Sequence, residues 1–141
     1  MSDQESIVYG CIKDIIDFEP MSSRRKANRK ALLNLPRLDD WPYLCQEMFS
    51  MPYSSIDKEQ YQTHVIHFGA SYKAVEYEWN LWMKKFESLL SNMYWVSAIV
   101  HLETELTGTH TFTWLNGKDQ YGPDSQLSAV QREWIQEQSL I

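Results

Sequence analysis

The sequence predicts a single α+β domain over residues 1–141, a mixed or antiparallel sheet with helices packed on one face. Three observations predict it. First, Ser71 to Met93 has the pattern of an amphipathic helix. Val75, Trp79, Trp82, Phe86, Leu89, Leu90 and Met93 fall in one stripe at about 100° per residue. Glu76, Asn80, Lys84, Glu87 and Ser91 lie on the opposite side. Second, Tyr94–Leu106 and Thr109–Leu115 read as two strands that give this stripe a platform. Third, a β-branched and aromatic run, Tyr61–Phe68, precedes the helix, so strand, helix and strand form a split βαβ unit.

The remaining elements follow in order, for an expected succession β-α-α-β-α-β-β-α. Ser6 to Ile16 is a strand with apolar residues on both faces, Ile7, Tyr9 and Cys11 against Val8 and Ile12, which suits an interior position. Ser22 or Ser23 caps a helix that runs to Asn34 and stops before Pro36. Asp40 and Pro42 open a short helix bearing Leu44, Met48 and Phe49. Tyr53 to Gln60 is polar and reads as a surface loop. Asn116-Gly117 makes a turn, and Ser125 to Ser139 is a last helix with Leu127, Val130 and Trp134 on its apolar side.

Composition narrows the function. A net charge of −6 argues against nonspecific nucleic-acid binding and against an anionic membrane surface, and it favours a basic partner. Six Trp and eight Tyr enlarge the core or anchor contacts. Cys11 and Cys45 lack metal-ligand spacing and read as free thiols of a cytoplasmic protein. No apolar run reaches the roughly 18 residues that span a bilayer. Neither a catalytic nor a cofactor signature occurs, so no cofactor is expected. Arg24, Arg25, Lys26, Arg29 and Lys30 crowd one helix, but without interleaved aromatics for base stacking they read as a solvated face.

One constellation stands out. A two-residue turn at Thr107-Gly108 sets residue 105 opposite 110 and residue 103 opposite 112. Leu106, Thr104, Leu102, Val100, Ala98 and Val96 then lie under the helix. His101, Glu103, Glu105, His110, Phe112 and Trp114 share the other face. That face admits a metal site on two His and two Glu, the ligand set of a small metal-dependent hydrolase. It also admits acid–base chemistry by Glu105 and His110. The third possibility is an acidic, aromatic contact surface, with Phe112 and Trp114 as anchors and Glu103 and Glu105 steering a basic protein. Asp39, Asp40 and the Tyr53–Gln60 loop are secondary contact candidates. His64 and His67 point to opposite strand faces and cannot share a ligand. Tyr77 and Leu81 sit on the outer side of the central helix, where something must cover them.

The run His67-Phe68-Gly69-Ala70-Ser71-Tyr72-Lys73, with Trp79, Trp82, Phe86, Tyr94-Trp95 and His101-Leu102-Glu103-Thr104-Glu105, resembles the small acidic immunity proteins of bacterial polymorphic-toxin systems. The resemblance implies a single α+β domain without catalytic machinery that binds one cognate toxin domain tightly. The resemblance assigns no residue; on surface character alone, Glu103, Glu105, His110, Phe112 and Trp114 meet the partner.

Overall fold

The computed structural model describes residues 4–15, 23–50, 65–116 and, for the backbone alone, 130–137. Five strands form one sheet in the order β2-β1-β3-β4-β5, every neighbouring pair antiparallel. They are β1 (Glu5–Lys13), β2 (Val65–Lys73), β3 (Ser97–Thr104), β4 (Gly108–Asn116) and β5 (Val130–Glu137); the helices are α1 (Ser23–Leu33) and α2 (Trp79–Leu90). Strands β2 and β3 both run antiparallel to β1, hence parallel to each other, and α2 carries the chain between them. This is the split βαβ unit, with β1 interior as its two apolar faces require.

Alternation separates the two sides of the sheet. Val8, Ile12, Phe68, Tyr72, Ala98, Val100, Leu102, Phe112 and Trp114 are buried against the apolar stripe of α2. All seven stripe residues expected from the sequence lie within that core, from Val75 to Met93. Each fully buried side chain of this size contributes about 1.5–3 kcal/mol relative to exposure. The rings interlock: Phe86 meets Phe68 at 5.4 Å and Trp114 at 5.1 Å, and Trp79 stacks on Trp82 at 4.8 Å. Two of the buried indoles have hydrogen-bond partners. Trp82 Nε1 donates to the Tyr72 hydroxyl (2.9 Å), which donates to the carbonyl of Tyr43 (2.8 Å). Trp114 Nε1 donates to Glu87 Oε2 (2.7 Å), tying the sheet to α2.

Helix α1 docks through its own side chains. Asn28 exchanges two hydrogen bonds with the backbone of Tyr94 (2.9 and 2.7 Å), as a strand partner would. Arg24 pairs with Asp14 and lies over the Tyr94 ring, 4.5 Å from its centre. Part of the basic run is therefore structural. The outer edge of β2 is closed by residues 43–50: Phe49 bridges Phe68, Ser50 N donates to His67 O, and Tyr43 donates to Ser71 O. Covering an edge in this way blocks pairing with other chains.

Four expectations need correction. Strand β2 runs on to Lys73, and α2 begins at Trp79 after a 3-10 turn, Val75–Glu78, instead of at Ser71. Residues 42–49 form only a 3-10 turn, Gln46–Met48, although Leu44, Met48 and Phe49 are buried as expected. The expected last helix is instead β5, which gives the outer edge of β4 its partner. The β3–β4 register also differs, with consequences for the site. The expected strand segment 61–64, the loop 53–60 and the turn beginning at Asn116-Gly117 lie wholly or partly outside the described residues. Among the described residues no helix is long and apolar enough to cross a membrane.

Candidate functional site

The hairpin closes at Thr104 opposite Gly108, with Glu105, Leu106 and Thr107 between them. Phe112 consequently faces Val100 and not Glu103, and His110 faces Leu102 and not Glu105. Threonine chemistry sets this turn. Thr107 N donates to Thr104 Oγ1 (2.9 Å), the two hydroxyls lie 2.6 Å apart, and Thr107 Oγ1 meets His110 Nε2 at 2.7 Å. Gly108 takes the left-handed φ of 81° that ends the longer loop. The slip of three residues is odd, so β4 turns over and its aromatic residues enter the core.

The five principal candidates are thereby separated. Phe112 (7 % exposed) and Trp114 (0 %) are core residues and cannot anchor a partner. His110 is half-buried on the core side; burial lowers its pKa, and the nearby Glu76 carboxylate only partly offsets that. Glu105 is exposed in the turn. Glu103 is on the open face, where the Tyr9 hydroxyl donates to its Oε2 (2.9 Å). On that same face the Tyr9 and His101 rings lie 4.9 Å apart, and His101 Nδ1 meets Thr111 Oγ1 at 2.9 Å. His101 and Glu103 thus lie across the sheet from His110, and among the described residues no three His, Cys, Asp or Glu converge as metal ligands. The hydrolase arrangement loses its shared face.

The secondary candidates are also reassigned. Asp39 Oδ2 accepts from Leu44 N (3.0 Å) and from Lys85 Nζ (2.9 Å), pinning residues 39–44 to α2. Burial alone would raise its pKa, but Lys85 and the backbone N–H groups outweigh it and hold the carboxyl low. Asp39 is a structural tether. Asp40 is exposed, and its carbonyl accepts from Lys85. The thiols of Cys11 and Cys45 are free, and burial pushes the Cys45 pKa up.

A different acidic and aromatic surface emerges at the start of α2. Val75 N donates to Ser6 Oγ (3.0 Å), and Ser6 pairs with Thr104, so the 3-10 turn sits above the hairpin end. Glu76 acts on His110 electrostatically, and His110 bonds Thr107 of the hairpin turn. Tyr77 is 71 % exposed, Leu81 47 % and Leu106 68 %. The charged residues among them, Glu76, Glu78 and Glu105, are all acidic. Glu76 and Glu78 also complement the positive end of the α2 dipole. A cavity of about 320 Å³ opens here, walled by residues 76–81.

Sequence reasoning marked Tyr77, Leu81 and Glu105 separately but did not join them. Joining them requires the register, and the signal for it was the poor fit of Thr107 to a two-residue turn. Comparison with known proteins matches no family model, no curated protein and no solved structure.

Proposed function

We propose that this protein is a cytoplasmic binding module that neutralises a basic protein, the toxin domain of an immunity pair, by seating it on the surface formed by Glu76, Tyr77, Glu78, Leu81, Glu105 and Leu106. One observation carries the reading. Tyr77, the largest side chain so exposed among the described residues, stands between two glutamates with Leu81 on the following turn. An aromatic anchor inside a rim of one charge is how interfaces combine contact area with steering. The net charge of −6 gives the whole molecule the same preference for a basic partner. The immunity resemblance of the sequence supplies the class of partner.

The test is affinity capture from native cells, with wild type and Tyr77→Ala/Leu81→Ala immobilised side by side. Both side chains are exposed, so the variant is expected to melt within about 0.5 kcal/mol of wild type. The reading predicts a near-stoichiometric basic protein on wild type and its loss from the variant. Equal retention on both would remove this surface from the interface.

A further inference from the structure

We propose that the open face of the sheet is a dimer interface, occupied by a second copy of this chain. Helices α1 and α2 and residues 43–50 all contribute their buried side chains to the core on the other side. Alternation sends Ile7, Tyr9, Cys11, Ile99, Thr111 and Leu115 the opposite way. Ile7 is 40 % exposed, Leu115 37 % and Tyr9 36 %, so these three stand open to solvent. The centre of the face is already ordered. The Tyr9 and His101 rings lie 4.9 Å apart, Tyr9 is held by Glu103, and His101 by Thr111. An aromatic centre fixed before contact loses little freedom on binding.

Charge selects the occupant. The molecule carries −6, so two copies repel through most of their surfaces. On this face the described acidic and basic side chains balance, Glu5 and Glu103 against Lys13 and Lys73. A strongly basic or strongly acidic partner gains nothing from such a face. A second copy does, because the signs are also separated along the strands. Glu5 faces Lys73 in register, which leaves Glu103 beside Ile7 at one end of β1 and Lys13 at the other. A two-fold axis crossing the strands near Tyr9 exchanges the ends and brings Glu103 of each copy toward Lys13 of the other. The size is sufficient. Five strands about 4.8 Å apart, with eight residues at about 3.4 Å each, make a face of roughly 650 Å². Two copies packed face to face bury about 1,300 Å², within the range of stable specific interfaces.

The dimer does not depend on the function proposed above, whose surface lies at the start of α2. Sedimentation velocity over a dilution series of the full chain, up to about 100 μM, tests it. Wild type is expected at the mass of two 16.7 kDa chains at the upper end. Glu103→Lys leaves the face with an excess of positive charge and Lys13→Glu with an excess of negative charge. Each alone is expected to weaken self-association at least about ten-fold, and an equimolar mixture of the two to regain the wild-type dimer. Recovery in the mixture requires both variants to be folded, so misfolding cannot imitate it. A wild type that stays monomeric throughout overturns the proposal. So does a dimer that neither variant weakens, which would sit on another surface, and so does a mixture that associates no better than its components.

Discussion

At the scale of single residues, the close packing of the sheet leaves positions that accept one side chain only. A Cβ on Gly10 would lie 1.9 Å from the Ile99 carbonyl oxygen and 3.0 Å from the Phe68 ring. Gly10→Ala must push β1 from β3, and a loss of about 3 kcal/mol is expected in denaturant titrations. Trp114→Ala removes a fully buried ring and the donor to Glu87. It is expected to cost about 3–5 kcal/mol; a change under about 0.5 kcal/mol would mean that Trp114 faces solvent and that the register is wrong. Titration adds a sign. The folded-state pKa of His110 is lowered by burial, so the unfolded chain takes the proton first as pH drops. Its contribution to stability is complete above about 6.5 and is lost as pH falls from there through the folded value. The Asp39 pKa is also lowered, so its contribution is lost further down, below about 3.9. Thermal melts should show two steps on acidification, and His110→Gln should remove the upper one.

At the scale of elements, the chain reversal between β2 and α2 is strained at one point. Ala74 takes a left-handed φ of 57°. That conformation costs an ordinary residue roughly 1–2 kcal/mol, more than the entropy a glycine adds to the unfolded chain. Ala74→Gly is expected to stabilise the protein by about 0.5–1 kcal/mol in the same titrations. This reversal also marks where the sequence was hard to read. The α2 stripe was legible because seven large apolar residues keep helical spacing against five polar ones. Its start was not, because Phe68 to Lys73 satisfies both a strand and a helix until pairing with β1 decides. The β5 segment has the same ambiguity: Val130 and Trp134 fit a helix face, and the unpaired edge of β4, invisible in the sequence, recruits the segment as a strand. The hairpin is the most instructive case. Its core side was right on β3, where burial depends on alternation alone, and wrong on β4, where it depends on how Thr104 and Thr107 wrap the turn.

At the scale of the whole molecule, one side of the sheet is filled by α2 and the core, and acidic side chains gather at the end where the hairpin turn meets that helix. The candidate site was therefore legible in kind and misplaced in position: an acidic, aromatic surface exists, but its aromatic is Tyr77 and only Glu105 is retained from the expected set. The central claim is that this end steers a basic protein onto the molecule. Its most direct test is the association rate of the captured partner, measured by stopped flow across a salt series. Wild type is compared with Glu78→Lys/Glu105→Lys and, as a control on the open sheet face, with Tyr9→Ala/Glu103→Lys. Reversing two steering charges should slow association at least about ten-fold at low salt and flatten the salt dependence, while the control stays near wild type. An unchanged rate in the first variant, or a slower one only in the control, would place the partner on the open face and contradict the account.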